Sequence, residues 1–143
     1  MIRVELERVQ GNFGFRAKDS AGHEMQLDSS LENGGEDFGV RPMQTLLMAL
    51  GACSGIDIIS ILKKQNENPD HFSMVIEGER EQQGSVSLWK KVQISFRFKG
   101  SLTEEKVLRA CSLTVEKYCS VAETLRRAGA IIEWQAEVEQ ASF

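Results

Sequence analysis

The stretch RPMQTLLMALGACSGIDIISILKK, residues 41–64, decides how the rest of the chain must be arranged. Pro42 suits the first turn of a helix, where its missing N–H costs nothing. From Met43 to about Lys64 the residues are helix formers with no proline. Leu46, Leu47, Leu50, Cys53, Asp57, Ser60, Ile61 and Lys64 would share one broad face, while Ala49, Ile56, Ile58 and Ile59 carry apolar character round the sides. A helix apolar on nearly every face is a buried one. About 23 residues at a rise of 1.5 Å would span roughly 34 Å, long for a chain of 143 residues. The helix is therefore expected to be central, covered by more than one layer and in part by a second subunit.

On its N-terminal side the pattern has a period of two. Ile2, Val4 and Leu6, then Phe13, Phe15 and Ala17, then Met25 and Leu27 alternate with polar residues, with the turn DSAG at 19–22. Three short strands with tight connections predict an antiparallel meander. Residues 29–41, rich in Gly, Ser and acids, read as a loop, and ENGGED within it (32–37) as a flexible connection. After the helix, residues 72–80 and 89–100 read as two more strands, and a helix starts near Ser101 or Thr103 with Glu104 and Glu105 in its first turn. Its apolar stripe is Val107, Ala110, Cys111, Val115 and Tyr118. Ser120 and Glu123 form an S-x-x-E capping box, so a shorter helix is predicted there, ending at Gly129, with Cys119 just before it. A last strand covers 130–139. The order is βββ-α-ββ-αα-β: one α+β domain over 1–143, with antiparallel sheets around the long helix.

Composition excludes several function classes. A net charge of −4 and a pI near 5.3 argue against nucleic acid or an anionic membrane as partner. The N-terminus lacks the apolar core of a signal peptide. No stretch approaches the roughly 18 uninterrupted apolar residues of a membrane span. The chain reads as cytoplasmic, where three cysteines imply free thiols or transient redox pairs. His23 and His71 have no ligand spacing to cysteine or to each other, so zinc sites and Cys–His catalysis get little support. The local signatures of phosphate-binding loops and of serine hydrolases are absent.

The sulfurs remain. Cys111 lies on an apolar stripe and reads as a small core residue. Cys53 alone would read the same way. Cys119 sits beside a helix N-terminus, whose positive end favours the thiolate and is expected to lower its pKa. Cys53 and Cys119 stand 66 positions apart, a spacing that does not make them a pair.

Two longer matches carry more. P-x-x-x-L-L-x-A-L-G-x-C-[ST] runs from Pro42 to Ser54, and E-K-Y-C-[PS]-V from Glu116 to Val121. With these motifs the chain resembles the OsmC/Ohr family (osmotically inducible protein C and organic hydroperoxide resistance proteins), over nearly its whole length and in an OsmC-like branch. The resemblance implies a thiol peroxidase for organic hydroperoxides, with Cys53 as peroxidatic and Cys119 as resolving cysteine. It implies an OsmC-like fold in an intertwined homodimer, no cofactor, and a dithiol reductant that for the family is often a lipoyl-bearing protein. In the best-understood hydroperoxide branch a glutamate directly follows the proline and positions an arginine against the thiolate. Here that residue is Met43, and the next position, often glutamate in the wider family, is Gln44. Arg16 is the candidate arginine, with Arg8 and Arg41 open; Asp57 reads as a polar contact at a helix flank or subunit interface. Two other readings use the same residues: a non-enzymatic redox sensor or disulfide-exchange protein, and an apolar-ligand binding module with unreactive cysteines.

Overall fold

The computed structural model describes residues 1–141. Strands β1 (Val4–Gln10), β2 (Gly14–Asp19) and β3 (Glu24–Leu27) precede helix α1 (Pro42–Lys64). Then come β4 (His71–Gln83), β5 (Val86–Lys99), α2 (Glu104–Leu113), α3 (Ser120–Arg127) and β6 (Ile131–Glu139). This is the α+β order read from the sequence, with α1 beginning at Pro42 and ending at Lys64 as expected. Contacts divide the chain, expected to be one domain, into two compact units, Met1–Leu46 and Leu47 onward.

In the N-terminal unit β1, β2 and β3 form the antiparallel meander. The segment 28–41 is not a loose connection. The Asp28 carboxylate, 3% exposed, accepts the backbone N–H groups of Ser29, Glu36 and Phe38 at 2.7, 2.9 and 3.1 Å. Gly39 passes so close to β3 that a Cβ there would lie 2.2 Å from the Gln26 carbonyl, which only glycine allows.

In the second unit the sheet order is β4-β5-β6. The β4–β5 ladder is antiparallel, but β6 runs parallel to β5 from Lys91↔Ile131 to Lys99↔Glu139. The expectation of purely antiparallel sheets is corrected here. A hairpin forces antiparallel pairing, whereas the helical excursion through α2 and α3 is long enough to return the chain alongside β5 in the same direction. One face of this sheet, with Val92, Ile94, Phe96 and Phe98 of β5, packs against Leu50, Ile58 and Leu62 of α1 and Val107, Ala110 and Leu125 of the other helices.

Helix α1 buries Leu50, Gly51, Ser54, Gly55, Ile58 and Leu62. The expected face is displaced: Cys53 and Asp57 are half-buried and Ser60 is exposed. A helix apolar all round has no pattern that selects a face, and close approach selects the small residues. Side chains of Met74 and Ile76 on β4 fill the space a Cβ of Gly51 would need, at 3.1 and 2.7 Å. Nor is the helix covered on all sides. Ile56 is 70% exposed, and Met48, Leu46 and Ile59 also face outward. By length and composition alone α1 is apolar enough to cross a membrane, with an 18-residue window of mean hydropathy 1.9. Averaging tolerates Asp57 and the serines, which the rule of uninterrupted residues does not. Its glycine and serine side packs on a sheet, as a core helix does.

Both helix ends flanking the core close in the Schellman arrangement. After α3, Gly129 (φ 106°) donates to Arg126 O and Ala130 to Leu125 O. After α1, Asn66 (φ 57°) takes the glycine position, and Glu67 N–H reaches Leu62 O at 2.9 Å. Glu67 then turns its buried carboxylate to the start of α2, accepting Thr103 N–H at 2.9 Å with Lys106 Nζ 3.7 Å away.

These contacts hold two carboxylates below their ordinary range. The Glu36 N–H does most for Asp28, and the Thr103 N–H for Glu67, each against an opposing effect of burial. A depressed folded pKa adds stability that is complete above the unfolded value, about 4, and is lost as pH falls through it to the folded one. Urea midpoints of the intact protein are therefore expected to drop between about pH 5 and pH 2. Glu67→Gln and Asp28→Asn are each expected to flatten that limb, and an acid limb with the wild-type slope would contradict the assignment.

Candidate active site

Cys53 lies mid-way along α1, in the sequence GACSG. Cys119 comes from the junction between α2 and α3. The α2 stripe buries Val107, Ala110, Cys111 and Val115 as expected, but the chain then widens into a π-helical turn, Thr114–Tyr118, closed by Cys119 N–H to Thr114 O at 2.8 Å. The wider winding carries Tyr118 to the surface, 52% exposed, instead of leaving it on the stripe. Arg126 donates to the Val115 carbonyl within this turn.

The capping box is displaced by one residue. Cys119, not Ser120, is the N-cap of α3, and its sulfur accepts Ala122 N–H at 3.4 Å. Glu123 falls one position beyond the reciprocal site and pairs with Arg127 at 3.0 Å. A thiol sulfur is larger than a hydroxyl oxygen and a weaker acceptor, so it serves the same geometry more weakly.

The segments that carry the two cysteines meet despite their separation in sequence. Ser54, fully buried and next to Cys53 in the chain, donates its hydroxyl to Cys119 Sγ at 3.4 Å. All three cysteines are free thiols. Burial pushes the Cys119 thiol up, against the downward pull of Ser54 and the Ala122 N–H, and Cys53 adds to the rise. The expected lowering by the helix N-terminus is thus outweighed: 2% exposure removes the water that would solvate the anion. Cys111 is pushed up to about 12 by burial alone, consistent with a core residue.

Arg16 stands on β2 in the N-terminal unit, its Nε 3.6 Å from Glu24 Oε2. Arg41 donates to Gly39 O at 2.9 Å, and Arg8 is exposed on β1. Gln44 is exposed and Met43 half-buried in the first turn of α1. Among the described residues no group of three or more His, Cys, Asp or Glu is arranged to hold a metal ion. Sequence reasoning gave Ser54 no role, although it fills the last position of the motif that begins at Pro42. Beside α1 lies an open apolar groove of about 690 Å³, lined by Met48, Ile56 and Ile59 with Phe72, Met74 and Ile76 of β4.

Known proteins place the chain in a family. The family profile described as OsmC-like protein matches residues 34–135, a span holding both Cys53 and Cys119. The chain belongs to the OsmC-like family. It is 35% identical to protein YhfA of Escherichia coli K12 over 128 residues, 89% of this chain and 91% of that one. The crystal structure of a hypothetical protein from Aquifex aeolicus VF5 superposes with a TM-score of 0.78 at 29% identity, covering 97% of this chain and 98% of that one. The organic hydroperoxide resistance protein OhrB of Bacillus subtilis shares the fold at 17% identity, with a TM-score of 0.63 over 97% of this chain and 98% of that one. The OsmC-like fold expected from the two motifs is the fold observed.

Proposed function

We propose that this OsmC-like protein is a thiol peroxidase that reduces organic hydroperoxides, with Cys53 as nucleophile and Cys119 as resolving thiol. The observation that supports the reading is the contact of Cys119 with Ser54, the chain neighbour of Cys53, which brings the segments of both family motifs together. The Cys53 thiolate attacks the terminal hydroperoxide oxygen; the O–O bond breaks, and the alkoxide leaves and takes a proton to become the alcohol. The resulting sulfenic acid condenses with Cys119, an S–S bond forming as the S–O bond breaks and water leaves. A dithiol of the lipoyl type restores both thiols by exchange. A second copy of the chain is the natural cover for the apolar groove beside α1, which makes the working unit a homodimer.

The test is steady-state consumption of cumene hydroperoxide by purified protein with a dihydrolipoyl or dithiothreitol reductant. Many turnovers per protein are expected, with the Cys53–Cys119 disulfide trapped when reductant is withheld. Formation of that disulfide without turnover would assign a sensor or exchange protein instead. No oxidation of either cysteine would leave only a binding role.

A further inference from the structure

Ser54 has a chemical position that the reading above does not use. It is fully buried, and its hydroxyl donates to Cys119 Sγ at 3.4 Å across 65 positions of sequence. A helical serine usually bonds the carbonyl one turn back along its own helix. This one is aimed at a sulfur on another element. The Ala122 N–H converges on the same atom, also at 3.4 Å. A neutral thiol is a weak acceptor, whereas a thiolate receives charge-assisted hydrogen bonds, so two donors on one sulfur suit the anion more than the thiol. Because Ser54 follows Cys53 directly, the same bond ties Cys119 to the backbone that carries Cys53.

We infer that Ser54 is a positioning residue for the resolving step, its hydroxyl fixing the Cys119 sulfur against the turn of α1 that carries Cys53 and stabilising the thiolate form in which that sulfur attacks an oxidised Cys53. The inference rests on the peroxidase reading for its role in the cycle. In that step the Cys119 thiolate supplies the electron pair of the new S–S bond. The Cys53 S–O bond breaks, and hydroxide leaves and is protonated to water. Without the hydroxyl the buried anion keeps one donor, the Ala122 N–H. Fewer Cys119 thiolates then form at neutral pH, and the sulfenic acid at Cys53 lives long enough to meet a second peroxide and become sulfinic acid.

The experiment follows Cβ chemical shifts of carbon-13-labelled cysteine against pH in the wild type, Ser54→Ala and Ser54→Thr. It also measures the rate of Cys53–Cys119 closure driven by diamide, an oxidant that requires no peroxidase activity. Loss of one hydrogen bond to a charged group is expected to move Cys119 ionisation about one unit alkaline in Ser54→Ala and to slow closure at neutral pH about tenfold. Ser54→Thr, which keeps the hydroxyl, is expected to restore both. With excess cumene hydroperoxide, sulfinic acid at Cys53 is expected to build up faster in Ser54→Ala. A Cys119 titration and closure rate unchanged in Ser54→Ala would overturn the role of Ser54, whatever the peroxide assay shows. Failure of the wild type to turn over hydroperoxide, with the Ser54→Ala shift and slow closure intact, would remove the peroxidase reading and leave Ser54 as the positioning residue of a disulfide-forming pair.

Discussion

Cys53→Ser is expected to reduce hydroperoxide consumption to the level of buffer with reductant. The serine hydroxyl stays protonated at neutral pH and has no oxidised state that a second thiol can attack, so both halves of the cycle are lost together. The substitution replaces a half-buried sulfur by oxygen and leaves Gly51 and Gly55 free to pack on β4, so the fold is expected to persist. Cys119→Ser separates the two roles. Its first turnover is expected to proceed and the steady state to collapse, with Cys53 advancing to sulfinic acid under excess peroxide. Parallel assays of the wild type and both variants, with mass spectrometry of the cysteine peptides, check this. Sustained turnover by Cys53→Ser would remove the nucleophile assignment, and unimpaired steady-state turnover by Cys119→Ser would remove the resolving one.

The largest expected loss of stability is at Phe96. It lies on the central strand β5, opposite Met74 and Ala136, and is 2% exposed. Its ring centroid is 6.1 Å from Phe72 and 6.5 Å from Trp134. Truncation to alanine removes buried apolar surface and leaves a cavity that helices on one side and a hydrogen-bonded sheet on the other cannot close. About 3–5 kcal/mol of unfolding free energy is expected to be lost in Phe96→Ala. Urea unfolding followed by circular dichroism checks this, at one fixed protein concentration because association adds to apparent stability. A loss under about 1 kcal/mol would mean that the site relaxes around the truncation and does not form the centre of the core.

Much of the fold was legible because it is encoded locally. Pro42 marked the start of α1, and Gly129 the end of α3 through the only residue type that adopts φ of 106° without strain. The period of two marked the strands. What was not legible depends on partners distant in sequence. Which face of α1 is buried could not be read from leucines and isoleucines on every side, since the choice falls to Gly51, Ser54 and Gly55 where β4 comes close. The direction of β6 follows from where a two-helix excursion returns. The ion partner of Arg16 is Glu24, on the strand beside it, which a run of alternating residues does not specify.

The same division runs through the site. By itself the sequence determined that a cysteine sits on a long apolar helix, that another stands at the start of a short one, and that both occupy the motifs of one family. These are properties of spacing along the chain. Only the tertiary structure decided that Cys119 is itself the cap of α3, that Ser54 reaches it, and that burial outweighs the helix N-terminus at its sulfur. Those outcomes depend on distance and on the exclusion of water, which arise when segments 65 positions apart are packed against each other.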